Sequence, residues 1–201
     1  MNLIENVRVQ IQASINTKIA VLDLLPEAIA AAGEMLVNAL QQGKKVLCCG
    51  NGGSAADAQH FSAELLGRYL NERESLPAIA LNTDTSTLTA IGNDYGYKQV
   101  FARQIQGLGQ AGDVLLAIST SGNSENIIAA IEAARARNMK IIALTGREGG
   151  KIAGLLQPQE LHICVPDNVT SRIQESHIMI LHCLCEIIDH MYISNKPSTF
   201  K

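Results

Sequence analysis

His60 and Glu64 stand four residues apart in a stretch that reads as a helix leaving a Gly/Ser-rich loop. That spacing sets an imidazole and a carboxylate on one helix face. Both types can take and give protons near neutral pH. A solvated helix face gives the same spacing, so the pair alone decides nothing. Its setting argues for chemistry: the first turns of such a helix border whatever the loop holds. Phe61, Leu65 and Leu66 mark the packed side and leave His60 and Glu64 at its edge. A second imidazole, His182, lies in an apolar stretch with Cys183, Leu184 and Cys185. A single histidine in such a place is more often a core or interface residue than a catalyst.

The loop before His60 is Gly50-Asn51-Gly52-Gly53-Ser54, directly after the apolar run Val46–Cys49. The design recurs: Val114–Ile118 leads into Ser119-Thr120-Ser121-Gly122-Asn123-Ser124, and a helical pattern follows. A helix N-terminus carries unpaired N–H groups and a partial positive charge, so it attracts anions. Residues Gly50–Ala55 formally fit G-x-G-x-x-A, the dinucleotide fingerprint. The acidic ribose partner that should follow at the end of the next strand is misplaced, because Asp84 lies too far along. The loop also lacks the Gly-Lys-Ser/Thr of a nucleotide P-loop. Ser and Asn also cap helices and shape turns, which is the plainer account of the second loop. Two matched loops with hydroxyls and amides but no Lys or Arg favour a small phosphorylated ligand that must also leave, such as a sugar phosphate.

The pattern around these residues is that of an α/β chain. Residues Leu3 to about Leu24 read as a helix with Ile4, Val7, Ile11, Ile15, Ile19 and Leu22 as its apolar positions, and Pro26 opens a second that ends near Gly43. Five short apolar runs follow, at Lys45–Cys49, Ala78–Leu81, Val114–Ile118, Lys140–Leu144 and Leu161–Val165. Each reads as a strand buried on both faces of a parallel sheet. Helical patterns separate them at Ala55–Tyr69, Thr85–Asn93 with Lys98–Leu108, Glu125–Arg137 and Gly150–Leu155, and a last one runs from about Val169 to Tyr192. The alternation predicts a three-layer αβα sandwich on a five-stranded parallel sheet, preceded by two helices, with ligands beyond the carboxyl ends of the strands.

The chain of 201 residues is sized for one domain: residues 1–43 as packing and oligomerisation helices, 44–193 as the sandwich with its last helix, 194–201 as a flexible tail. Net charge is −3 without a basic run, which argues against a nucleic-acid surface. No apolar run approaches the ~20 residues that span a bilayer, and no signal-peptide core is present, so a cytoplasmic location is expected. The five Cys read as small buried hydrophobes, with no CxxC pair among them.

Several of these segments resemble a known family. Cys49–Ser54, His60–Glu64, Gly92-Asn93-Asp94, Gly112–Ser124, Ala143–Gly146 and Arg172–His177 are similar to a sugar isomerase (SIS) domain, and more narrowly to the phosphoheptose isomerases. The resemblance spans nearly the whole chain. It implies a flavodoxin-like sandwich, a homotetramer with active sites at subunit interfaces, and conversion of sedoheptulose 7-phosphate to D-glycero-D-manno-heptose 7-phosphate for the lipopolysaccharide core. It assigns substrate contacts to Asn51, Gly52, Gly53, Ser54, Glu64, Asn93, Asp94, Ser119, Thr120, Ser121, Ser124 and Gln174. It makes Glu64 the base and His182 the acid, and it suggests one zinc ion per subunit on His60, Glu64, Gln174 and His182. Those types suit an aldose–ketose isomerisation, which needs a base at the carbon acid, a proton donor for the oxygens and a stabiliser of developing negative charge.

Two further expectations follow. Gln174 and His182 are eight residues apart, or ~12 Å along one helix. One metal ion should not reach both, so His182 is expected to come from a neighbouring subunit. Some phosphoheptose isomerases also carry an acidic residue just before Arg-Ile-Gln, where this chain has Ser171; the nearby Asp167 is not expected to take its place. The runner-up is a non-catalytic relative, a SIS-type tetramer that binds the replication initiator DnaA and promotes initiation. Leu76–Asp84, Ala111–Thr120 and His182–Asp189 lean that way. A scaffold needs neither a carboxylate at 64 nor an imidazole at 182, and the presence of both favours the enzyme. A sugar-phosphate sensor fused to a DNA-binding module is the least favoured reading, because the two leading helices read as packing helices.

Overall fold

The computed structural model of the chain describes residues 2–194. Of the expected tail, only Ser194 falls within them, as the last residue of a helix; 195–201 lie outside the described residues. The strands are β1 (Val46–Cys49), β2 (Ala78–Ala80), β3 (Val114–Ser119), β4 (Lys140–Gly146) and β5 (Leu161–Val165). The helices are α1 (Leu3–Leu24), α2 (Pro26–Gln41), α3 (Gly53–Leu66), α4 (Thr85–Tyr95), α5 (Ala102–Leu108), α6 (Glu125–Ala136), α7 (Gly150–Leu155) and α8 (Thr170–Ser194).

The sheet runs β2-β1-β3-β4-β5 and every pairing is parallel. Because successive strand side chains point to opposite faces, each strand feeds two cores. Val46, Cys48, Val114, Leu116, Ile142, Leu144, Ile163 and Val165 face the layer of α1, α2, α3 and α8. Leu47, Cys49, Leu115, Ala117, Ile141 and Ala143 face the layer of α5, α6 and α7. Leu47 and Leu115 are fully buried, so cutting either back to Ala would cost about 2–5 kcal/mol. At the amino ends, the Asp113 carboxylate accepts from the Lys45 backbone N–H at 3.0 Å and pairs with Lys45 Nζ at 2.6 Å, which pins β1 to β3.

Strand order reverses between β1 and β3, and a sheet of this type binds its ligand beyond the carboxyl ends at that reversal. The register pairs Cys49 with Ala117. The two Gly/Ser loops therefore leave neighbouring strands at the same end of the sheet.

Three features differ from the sequence pattern in ways that bear on the site. α3 begins at Gly53 and ends at Leu66 instead of running from Ala55 to Tyr69; Gly67 leaves the helical region at φ −82°, ψ −117°. The expected Lys98–Leu108 helix is a 3-10 turn at Tyr97–Gln99 followed by α5. The third difference concerns α1. Its inward face carries the buried Val21 and a polar seam: the Thr17 hydroxyl bonds Asp167, the Ser14 hydroxyl bonds Glu175, and Lys18 Nζ donates to Ser14 Oγ at 2.7 Å. Ile4, Val7, Ile11, Ile15, Ile19 and Leu22, the expected packing stripe, all face outward in the single chain. Among the described residues no helix is long and apolar enough to cross a membrane.

Candidate active site

The two loops form one floor. The Asn51 and Asn126 side-chain amides exchange a pair of hydrogen bonds, at 2.9 and 2.8 Å, across the gap between the starts of α3 and α6. Asn126 is buried, so this link is shielded from water. Asn82 Nδ2 donates to the Gly50 carbonyl at 2.7 Å and braces the first loop from the β2 side. The second loop rests on the turn after β4. Ile152 N–H donates to the Gly122 carbonyl, and Lys151 N–H donates to Asn123 Oδ1, both at 3.0 Å. Gly122 sits at φ +64°, and a Cβ there would lie 1.9 Å from the Gly149 carbonyl oxygen. Only glycine fits that crossing.

Neither helix start is closed by a side chain. The N-cap of α3 is Gly52 and that of α6 is Ser124, and neither makes a side-chain cap bond. The Ser124 hydroxyl instead faces Ser119 Oγ at 3.1 Å. Plain capping, the duller account of these hydroxyls, is therefore not how Ser124 is used. Two uncapped helix N-termini and a set of hydroxyls lie on neighbouring loops at one end of the sheet, which suits a phosphate.

From this floor α3 and α8 run side by side in the same direction. Gln174 packs at the start of α3, where a Cβ on Gly53 would lie 2.4 Å from Gln174 Nε2. Two turns further along α8, His182 meets α3. His182 Nε2 is 3.1 Å from His60 Nε2, and Glu64 Oε1 is also 3.1 Å from that His60 nitrogen. The Tyr69 ring stacks on His182 with centroids 5.8 Å apart and planes 19° from parallel.

Residues 11–146 match the SIS domain family. The chain is 60% identical to the phosphoheptose isomerase of Shewanella sp. (strain W3-18-1), over 93% of this chain and 95% of that one. Its fold matches phosphoheptose isomerase GmhA from Neisseria gonorrhoeae, with a TM-score of 0.90, 50% identity and coverage of 94% of this chain and 100% of that one. The enzyme from Francisella tularensis matches with a TM-score of 0.92 and 46% identity over the same shares. The chain belongs to the SIS domain family, among the phosphoheptose isomerases.

This SIS domain brings together three of the four side chains expected to hold zinc. The metal-ligating atoms of His60, Glu64 and His182 all lie within 4.8 Å of one another. Ligands about 2.0–2.1 Å from a tetrahedral zinc are about 3.3 Å apart, close to the two 3.1 Å separations. Two imidazoles and a carboxylate at that spacing are a donor set that fits the ion.

One expectation is corrected. His182 does not need a neighbouring subunit: it reaches His60 and Glu64 of its own chain. Within the single chain Gln174 lies apart from the trio, at Gly53, seven residues up α3 from His60. Asn93 and Asp94 stand on the exposed end of α4, with Asn93 Nδ2 donating to Asp94 Oδ1 at 2.8 Å. Asp94 borders a cleft of about 530 Å³ between α4, α5 and β2, apart from the trio. The turn after α4 reaches the floor, where Tyr97 OH lies 3.4 Å from Asn51 Oδ1. Ser54 is buried, Gly52 is exposed, and Thr120 and Ser121 are half-buried in the second loop. Ser171 is exposed, and Asp167 is occupied by Thr17, Arg172 and the Val169 N–H.

Sequence reasoning missed Asp57, Tyr69, Asn126 and Arg73. Asp57 continues the Gly53–His60–Glu64 stripe at helical spacing and was open to being found. Burial pushes its carboxyl up to about 6 against the lowering effect of His60, and its buried Oδ2 has no hydrogen-bond partner. The other three are legible only once distant segments are packed together.

Proposed function

We infer that the chain is a phosphoheptose isomerase that interconverts sedoheptulose 7-phosphate and D-glycero-D-manno-heptose 7-phosphate. The observation that carries this reading is the meeting of Glu64 and His182 around His60, on a seam that starts at two open helix N-termini. The substrate phosphate lies on the floor made by Gly52, Gly53, Ser119, Thr120, Ser121 and Ser124, and the sugar extends along α3 towards Glu64. Glu64 takes a proton from C1 of the ketose while His182 protonates the C2 oxygen, giving a 1,2-enediol. Glu64 returns the proton to C2 and His182 accepts the proton from the C1 hydroxyl, leaving an aldehyde at C1. The net change moves one proton from C1 to C2 and one from O1 to O2.

His60, Glu64 and His182 would hold zinc through one atom each and leave a fourth corner open, as catalytic zinc sites do, with the other Glu64 oxygen and the other His182 ring nitrogen left to move protons. A bound zinc ion would polarise the sugar oxygens and offset the charge that develops on them. Gln174 takes part in such a site only from a second copy of the chain. A homotetramer with active sites at subunit interfaces fits the outward apolar stripe of α1, which a single chain leaves in water. Five free cysteines suit a reducing, cytoplasmic setting.

The test is a coupled assay on sedoheptulose 7-phosphate before and after chelation. Turnover that falls with a chelator and returns with Zn2+ supports both the reaction and the metal. A folded, Zn2+-replete protein without turnover, which still bound DnaA, would move the reading to the initiator-binding relative.

A further inference from the structure

Beyond the trio, the α3/α8 seam ends in a buried ion pair that the proton transfers leave unexplained. The side chains of Arg73 and Asp189 are 3% and 2% exposed. Arg73 Nε donates to Asp189 Oδ1 at 2.8 Å. Its other nitrogens reach back to the helix that carries the base. Arg73 Nη2 donates to the Glu64 carbonyl at 2.7 Å, and Nη1 donates to the Leu65 carbonyl at 2.9 Å. These are among the carbonyls that a helix leaves unpaired at its C-terminus. The second oxygen of Asp189 accepts the N–H groups of Leu70 at 3.1 Å and Asn71 at 3.0 Å. That fixes the chain directly after Tyr69, whose ring stacks on His182. Asp189 itself lies seven residues past His182, two turns along α8 and on the same side.

One pair therefore holds three things at once: the backbone of the base, the segment that presents the ring against the acid, and the helix that carries the acid. Burial alone would raise the Asp189 carboxyl, but the hydrogen bonds from Arg73, Asn71 and Leu70 and the Arg73 charge outweigh it and hold it below the usual range. The pair is thus ionised in the folded protein. A buried ion pair is weak evidence of stability, since apolar residues of similar size often do as well. Apolar residues could not hold two carbonyls and two N–H groups in a fixed relation.

We propose that Arg73 and Asp189 are positioning residues, a clamp that sets Glu64 on α3 against His182 on α8. The clamp rests on the isomerase reading for its purpose, not for its geometry. Two changes test it. Arg73→Lys keeps the charge and loses the planar fork. Arg73→Met with Asp189→Leu removes both charges together, so neither is left buried without a partner. Each protein is assayed for kcat and KM on sedoheptulose 7-phosphate, per folded molecule by near-ultraviolet circular dichroism. Each is also assayed for Zn2+ affinity against a chromophoric chelator.

The expected result is a kcat about 10- to 100-fold lower and a Zn2+ affinity about tenfold weaker, with KM little changed because the phosphate floor is at the other end of the seam. Either loss in a folded variant supports the clamp. Wild-type kcat together with wild-type Zn2+ affinity in the folded variants overturns it, as does a fall in activity that only tracks the folded fraction. If the unaltered protein does not turn over, the isomerase reading fails and the Zn2+ comparison still decides the clamp. An unaltered protein with neither turnover nor Zn2+ uptake overturns both.

Discussion

The two ends of the α3/α8 seam are built in different ways. At the start, the phosphate floor is backbone and short hydroxyl side chains, braced by the Asn51–Asn126 exchange and by the turn after β4. Each of its loops is a run of consecutive residues. Further along, the chemistry rests on long side chains from residues 60, 64 and 182, joined only by how two helices pack. On the proposed function, the first end would hold the phosphate through groups that do not change charge. The second end would move protons and so would need its groups fixed from outside. Binding and chemistry in this fold are therefore separable, and the variants that follow are chosen to damage one end at a time.

The largest effect belongs to the chemical end. Glu64→Gln keeps the side chain's shape and removes the base, and it should lower kcat by about a thousandfold. His182→Asn should come close to it. KM and melting temperature should hardly move in either, because the floor is untouched. A Glu64→Gln enzyme with more than about a tenth of wild-type kcat would place the base elsewhere.

The next effect strikes the middle of the seam. His177 lies on α8 between Gln174 and His182, fully buried, with its Nε2–H donated to the Thr145 carbonyl at 3.0 Å and Nδ1 without a partner. Burial pulls the imidazole down to about 4, against the smaller opposing effect of that hydrogen bond. The unfolded value is about 6.5. Between the two, the unfolded chain binds a proton that the folded chain refuses, so stability falls as pH drops from about 6.5 towards 4 and is unaffected above. The full loss is on the order of 3 kcal/mol at the bottom of that window. Thermal melts at pH 7 and pH 4.5 should differ clearly for the wild type and much less for His177→Gln. Equal pH dependence in the two proteins would remove His177 as the cause.

How much of this was open to a reader of the chain follows the same division. The strands were legible because runs such as Val114–Ile118 are buried on both faces and read as apolar throughout. The loops were legible because phosphate chemistry is written in adjacent residues. His60 and Glu64 were legible as a pair, since helical spacing is local. Their meeting with His182 came only from the family resemblance and not from spacing, because 122 residues separate His182 from His60 and only the parallel packing of α8 on α3 joins them. The same limit hid Arg73, which sits in the polar run Asn71-Glu72-Arg73-Glu74 and looks like solvated loop. Periodicity found α1 as a helix but could not say which way it faces. A polar seam at Ser14, Thr17 and Lys18 decides that, and its partners Asp167 and Glu175 lie far along the chain.

A smaller change tests the floor alone. Ser124→Ala removes a hydroxyl that makes no cap bond and faces only Ser119. Loss of one hydrogen bond to a charged phosphate is worth about 1.5–3 kcal/mol, so KM should rise about tenfold or more. With no cap bond to lose, the melting temperature should stay near the wild-type value, and kcat should hold. A kcat loss with KM unchanged would show that the two ends are not separable.

The smallest effect lies where the two ends meet. Asp57 stands one turn after Gly53 and one turn before His60, and burial raises its carboxyl to about 6, with His60 opposing. The unfolded value is about 3.9. Here the folded chain keeps the proton longer, so the ionised carboxylate weakens folding as pH rises from about 4 to 6, and that cost stays constant above. The group is partly open to solvent, which discounts the effect to about 1 kcal/mol. Asp57→Asn should therefore melt a few degrees higher than wild type at pH 8, with the difference closing towards pH 4. If Asp57→Asn instead destabilises the protein at pH 8, the carboxylate has a partner that the single chain does not supply. A second copy at the subunit interface is then the first place to look, which would tie the floor and the chemistry together through the oligomer.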